Sequence, residues 1–221
     1  MDDVIRVHDR YYILATSGLS DDRTRVLKDG DTFAVFDRHG DVQPVGLGQQ
    51  GVFDRGTRGL SRLEVRVGGQ RMLLLSSTLD RENAVLVVSA TNPDLQRDGR
   101  VDVARNTLHV EREIVLHDGV CHTRLTLRNF ERDPVDLEIA VAYDADFADV
   151  FEVRGLRRAH RGTRHEPQVD DGTVLLSYTG LDDVTRRTAV TFDRPAKELS
   201  ATRAVFPIHL AATGQTRLEI T

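Results

Sequence analysis

The chain has 221 residues, 39% hydrophobic and 29% charged, a globular composition that excludes a disordered or collagenous protein. Its formal net charge is -5, from 35 acidic and 30 basic side chains, so no global field draws it to nucleic acid or to an anionic membrane. A single cysteine, Cys121, excludes an internally stapled disulfide scaffold.

At the amino terminus Met1-Asp2-Asp3 opens acidic, and the first apolar run, Tyr11 to Ala15, breaks at Thr16-Ser17-Gly18, which is not the pattern of a secretory signal. The later apolar runs Met72 to Leu75, Ala84 to Val88 and Ile139 to Tyr143 fall far short of the roughly 20 residues that cross a bilayer. No membrane partner is expected, and the cytoplasm is the expected compartment. Thr32 to Phe36 reads as a strand. Gly46-Leu47-Gly48-Gln49-Gln50-Gly51 fits the dinucleotide fingerprint letter for letter, but Pro44 precedes it and no helical pattern follows it. A glycine loop between strands, with no nucleotide cofactor, is the expectation. Gly59-Leu60-Ser61-Arg62-Leu63 lacks the last glycine of a nucleophile elbow and runs into a strand, which leaves Ser61 structural.

Arg62 to Val67 alternates, with Leu63, Val65 and Val67 on one face and Arg62, Glu64 and Arg66 on the other. Gly68-Gly69 suits a tight hairpin, so Gln70 to Leu75 is expected to return antiparallel beside it. Ala84 to Thr91 is the next strand. Leu108 to His117, the turn Asp118-Gly119 and Val120 to Asn129 form the clearest hairpin, with His117 opposite Val120, Leu116 opposite Cys121 and Glu113 opposite Arg124. One face then collects Val110, Ile114, Leu116, Cys121, Leu125 and Leu127, with Arg112 as the misfit, and Cys121 is an inert core thiol. Pro134 marks the next turn and Val135 to Tyr143 alternates again, completing an expected three-stranded meander.

Asp144-Ala145-Asp146-Phe147-Ala148-Asp149-Val150-Phe151-Glu152-Val153-Arg154-Gly155 concentrates four carboxylates after that strand. As a calcium loop it places Asp149 where glycine is needed and Gly155 where the bidentate glutamate is needed. As a glycosidase pair it would need two carboxyl groups facing each other across a sugar cleft, which neighbours on one turn rarely do. The preferred role is structural, with Asp146 or Asp149 capping a turn of helix and Arg154 pairing with a carboxylate; calcium binding and direct catalysis are the alternatives. Arg154 to Gly172 reads as a long surface loop and a weak domain boundary. Its arginines lack the interleaved aromatics of single-strand nucleic-acid readers, which points to a solvated loop or one docking on acidic protein. Among the 8 histidines no metal spacing appears. His117 and His122 share one hairpin face as two ligands at most, and Pro167 forbids a helix after His165-Glu166.

Val174 to Thr179, Thr188 to Phe192, Ala204 to Leu210 and Thr216 to Ile220 bring the total to roughly a dozen strands, without long amphipathic helices. The fold expected is all-β: a large antiparallel β-sandwich of two packed sheets, with few or no helices, forming a single domain over residues 1–221. With no Trp and 5% aromatic residues, a carbohydrate-binding module is disfavoured without being excluded.

Several segments together resemble the N-terminal domain of bacterial glycogen-debranching-like proteins of the amylo-α-1,6-glucosidase family. They are Gly30 to Asp41, Gly56 to Leu63, Leu73 to Ser77, Thr91 to Asp94, Arg124 to Asn129, Tyr178 to Asp182 and, most specifically, Asp144 to Gly155. Gly56-Thr57-Arg58 stands where many relatives read D-T-R, so a role requiring an acid there is not carried over. The resemblance implies a non-catalytic β-sandwich ahead of an α/α-barrel that carries the glycosidase carboxylates. The barrel, in cis or in trans, is then the expected partner, and a glycogen-like α-glucan the expected ligand of the pair. The chain alone is expected not to be an enzyme and to have no catalytic residue, no cofactor and no metal. Arg58, Asp144, Asp146, Asp149 and Arg154 are the residues expected to face the partner domain or the substrate cleft. The alternatives are a glucan-binding module acting on its own, or a self-contained glycosidase using the Asp144–Asp149 cluster.

Overall fold

The computed structural model describes residues 4–7, 10–13, 24–44 and 49–221. Strands β1 (Val4–Val7) and β2 (Arg10–Ile13) form a hairpin. Strands β3 (Arg25–Asp29), β4 (Thr32–Phe36), β5 (Gly51–Asp54) and β6 (Thr57–Leu60) follow as a sheet whose spatial order is their chain order. Next come β7 (Arg62–Val67), β8 (Leu73–Leu79), β9 (Val85–Thr91) and the small hairpin β10 (Leu95–Arg97) with β11 (Arg100–Val103). Three long strands, β12 (Leu108–His117), β13 (Val120–Asn129) and β14 (Val135–Asp144), lead to a single helical turn, α1 (Val150–Val153). The chain ends in β15 (Thr163–Arg164), β16 (Gln168–Asp170), β17 (Thr173–Thr179), β18 (Thr185–Thr191), β19 (Glu198–Leu199), β20 (Arg203–Leu210) and β21 (Gln215–Ile220).

The two principal sheets are antiparallel, in the orders β21-β13-β12-β9-β8 and β19-β20-β14-β7. Their apolar faces meet in one buried cluster. Leu86, Ile114 and Leu125 come from the first sheet and Val67, Val141 and Phe206 from the second. The all-β expectation holds, and the structure adds two smaller sheets, β3 to β6 and β15 to β18, whose Leu27, Phe36, Val174 and Leu176 join the same cluster.

The β12–β13 hairpin has the expected register, His117 with Val120, Leu116 with Cys121 and Glu113 with Arg124. Two other expectations are corrected. Gly68 and Gly69 do make a tight turn, at φ 57° and 77°, but only Val67 pairs back, with Gln70. The chain then leaves, Arg71 engages Asp37, and β8 pairs with β9 in the other sheet. Both edges of β7 are already engaged, by β14 along its length and by Val42 at Leu63, so a returning strand has little room. The second correction concerns the meander: β14 pairs with β20 and β7, while the free edge of β13 is taken by β21. Asn129, 1% exposed, bends the crossing by donating to the carbonyls of Asp133 and Ala211, at 2.8 and 3.1 Å. The Arg154–Gly172 segment likewise is not wholly loop, since it contains β15 and β16. Of the glycine motif, residues 45–48 lie outside the described residues, and Gly51 opens strand β5 where a nucleotide fold needs a helix.

The misfit Arg112 is 4% exposed and has a specific partner. Its Nη1 donates to Asp41 Oδ1 at 2.7 Å and to the His39 carbonyl at 3.2 Å. Asp41 also accepts from the Val65 N–H at 3.2 Å and from Arg66 at 3.1 Å. Asp37 accepts from the N–H groups of His39 and Asp41, from Gln43 and from Arg71. Burial, then the Arg71 charge, pushes the His39 imidazole below its ordinary pKa.

Candidate functional site

The segment after β14 is pinned against β6. The Arg58 N–H donates to the Ala148 carbonyl and the Val150 N–H to the Gly56 carbonyl, both at 2.8 Å. Ala145, Phe147 and Ala148 are buried, and Phe147 takes φ 52°, a backbone region that costs a bulky L-residue on the order of 1 kcal/mol or more. Its ring stacks on Tyr178 of β17, with centroids 5.6 Å apart and planes within 7°.

The intervening side chains form an arginine–carboxylate lattice. Arg58 grips Asp146 side-on, Nε to Oδ1 at 3.0 Å and Nη2 to Oδ2 at 2.5 Å. Gly51 makes room for that guanidinium stem, because a Cβ there would lie 2.5 Å from Arg58 Cδ and 2.9 Å from the Leu60 carbonyl oxygen. Asp149 caps α1, accepting from the Phe151 N–H at 2.8 Å, and Glu152 accepts from the Asp149 N–H at 3.0 Å, a capping box. Arg158 pairs with Asp149 at 3.2 Å, Arg161 with Glu152 at 3.3 Å, and Arg164 with Asp144. Arg161 also donates to the Asp146 carbonyl at 2.7 Å and lies 5.9 Å from the Tyr178 ring centroid.

Asp149, Glu152, Arg158 and Arg161, with Phe147 and Tyr178, line an open cleft of about 400 Å³. Its far wall is the β17–β18 turn, where Arg186 holds Asp182 through two hydrogen bonds, 2.8 and 3.1 Å. Those bonds, with one from the Val184 N–H, bring the Asp182 carboxyl down to about 2. Exposed apolar side chains lie on the same two elements: Phe151 and Leu156 at and after α1, Leu181 and Val184 in the turn.

Of the residues expected at a site, Arg58 and Asp146 bind each other, and Asp144 and Asp149 belong to the same lattice. Arg154 differs. It is the C-cap of α1, its N–H bonding the Val150 carbonyl, and its exposed side chain pairs with no carboxylate among the described residues. The nearby carboxylates Asp149 and Glu152 are already held by Arg158 and Arg161. Tyr178, Asp182 and Arg186 were not anticipated as site residues; the signal that could have found Tyr178 and Asp182 is the family-like stretch Tyr178 to Asp182.

Elsewhere, the register His117 with Val120 and Val115 with His122 places the two histidines diagonally on one exposed face, with His117 3.9 Å from Asp29 and 3.5 Å from Asp118 and His122 beside Thr221. Burial pushes the Cys121 thiol up to about 11, as befits an inert core group.

A family model described as the N-terminal domain of (some) glycogen debranching enzymes matches residues 27–221. The chain belongs to this family. The match runs from within β3 through β21, so the lattice, the cleft and nearly all of the four larger sheets lie within the glycogen-debranching N-terminal domain. Among curated proteins no match to the chain was found.

Proposed function

We propose that this domain is a non-catalytic front piece that docks on a separate α/α-barrel catalytic domain, in cis or in trans, and forms one wall of its glucan cleft. The observation that supports this reading is the surface around α1 and the β17–β18 turn, where Phe151, Leu156, Leu181 and Val184 are exposed and Leu181 lines a charge-paired cleft. Apolar side chains rimmed by satisfied polar groups suit a contact between domains, which gains from burying the former without stranding the latter. A glycosidase reading finds less support. Glycoside hydrolysis needs a carboxyl group free to deliver a proton, and Asp144, Asp146 and Asp149 are each committed to an arginine.

The test mixes the purified chain with the barrel domain of its parent debranching enzyme, measuring association by calorimetry and glucose release from an α-1,6-branched oligosaccharide. Association is expected, with hydrolysis only when the barrel is present. Glucose release by the chain alone, lost in Asp146→Ala, would overturn the proposal, as would a barrel that ignores the chain.

A further inference from the structure

We propose that the core holds a buried site for one small monovalent inorganic anion of halide size, formed by the Nε–Nη2 fork of Arg112 on β12 and the hydroxyl of Thr123 on β13. The site is separate from the cleft beside α1 and lies beneath the turn that carries Gly40.

Unmet donors are the first argument. Arg112 is 4% exposed and Thr123 2%. Arg112 commits Nη1 to Asp41 Oδ1 at 2.7 Å and to the His39 carbonyl at 3.2 Å. Its Nε and Nη2, and the Thr123 hydroxyl oxygen, are buried without a hydrogen-bond partner among the described residues. The Cys121 thiol beside that hydroxyl is a weak partner at best. Nε–H and the neighbouring Nη2–H point the same way from one side of the planar guanidinium, so the fork converges on a single acceptor. Leaving charged donors dry and unpaired in a core is costly, and native structures rarely do it.

The ladder brings these groups together. In the β12–β13 register Thr123 lies opposite Ile114, one inward position beyond Arg112. A Cβ on Gly40 would lie 2.7 Å from Ile114 Cδ1 and 3.4 Å from both Cδ and Nε of Arg112. The arginine stem therefore runs beside Ile114, towards the level of Thr123. Gly40, at φ 77°, puts no side chain in its way.

Charge and acceptor count select the ligand. Arg66, Arg71 and Arg112 contact Asp37 and Asp41, three cations against two acids, and the outer pair Arg62 and Glu64 adds one of each, which leaves one positive charge in excess. His39 does not alter that sum, since burial and the Arg71 charge hold its imidazole below its ordinary pKa. A water molecule at the fork would have its own two hydrogens to place among groups that are themselves donors. A metal ion would meet the guanidinium charge head-on. A monovalent anion accepts from every donor and cancels the excess charge. Ile114 and Leu125, opposite Thr123 and Arg112, offer no further donors for a divalent one.

The test unfolds the 221-residue chain in urea over a series of sodium chloride concentrations, with sodium gluconate replacing chloride at constant ionic strength. A saturable rise of stability with chloride is expected, and bromide should act as chloride does. Thr123→Val keeps the side-chain volume and removes the hydroxyl, and it is expected to raise the half-saturating chloride concentration about tenfold. Arg112→Met should abolish the response, and where that variant does not fold Thr123→Val carries the test. Crystals grown in bromide are expected to show an anomalous scatterer between Arg112 Nη2 and Thr123 Oγ1. Equal stability in chloride and gluconate, an undiminished chloride response in the folded variants, or a water at the fork of the bromide crystals would overturn the proposal.

Discussion

Arg112 occupies a position where the alternation of β12 calls for an apolar side chain, and Asp41 makes that tolerable. Removing one partner of a buried ion pair leaves the other charge without compensation, which costs about 3–5 kcal/mol. Asp41 keeps Arg66 and the Val65 N–H, so Arg112→Met is expected near the lower end, about 3 kcal/mol in urea unfolding. The misfit was legible in the sequence, but its partner was not. Asp41 lies 71 residues upstream, and no local pattern links the two. Cys121 gives a second expectation at this scale. Its thiol titrates near 11 in the folded chain, against an ordinary value of 9.0. Deprotonation therefore favours the unfolded state first: the contribution to stability is complete below pH 9 and is lost as pH rises from about 9 towards 11. Burial raises Tyr143 to about 12 with the same sign. Cys121→Ala is expected to flatten the alkaline limb of stability against pH, while leaving the contribution of Tyr143. The native thiol should resist a disulfide reagent at pH 8 until the chain unfolds.

At the scale of elements, turns decide where strands go. Gly68 has φ 57°, and a Cβ on it would lie 2.6 Å from a methyl carbon of Leu95, whereas Gly69 has φ 77° and open space around it. Gly69→Ala should cost about 1 kcal/mol for the left-handed backbone, and Gly68→Ala more, because Leu95 must also move. Thermal unfolding of the two variants would separate these contributions. The same turn shows why strands were more legible than their pairing. Arg62–Val67 and Leu108–His117 have the bounds that alternation gives, because alternation is local. Whether β14 lies beside β13 or faces it across the core leaves the inward apolar pattern unchanged, and Asn129 and the competing strand β21 decide the matter. A capped turn of helix was legible with Asp146 or Asp149 as its cap, and the fold selects Asp149, with Glu152 completing the box. The idle side chain of Arg154 was not, since it depends on Arg158 and Arg161 having claimed the acids.

For the whole molecule, the β class was readable because stretch after stretch alternates with period two, and one dense motif, Asp144 to Gly155, supplies part of one wall of the candidate cleft. The opposite wall of the cleft comes from β17 and β18, which only folding brings beside α1. Docking is expected to depend on the apolar rim. Phe151 and Leu181 are 59% and 65% exposed, and burying such side chains stabilises a complex by about 1.5–3 kcal/mol each. Phe151→Ser combined with Leu181→Ser should therefore weaken association with the barrel at least tenfold, with the stability of the free chain little changed. A titration of the two purified pieces reads that loss directly.

The position of β21 has a consequence for biosynthesis. Residues Gln215–Ile220 supply the outer neighbour of β13, and Leu218 and Ile220 are buried in the core. Translation at about 5–20 residues per second delivers this piece after every other strand described here, so on a ribosome the nascent domain waits with one side of its main sheet unfilled. Closure comes only when these residues clear the exit tunnel, and during that interval the unpaired β13 edge is open to chaperones or to wrong strands.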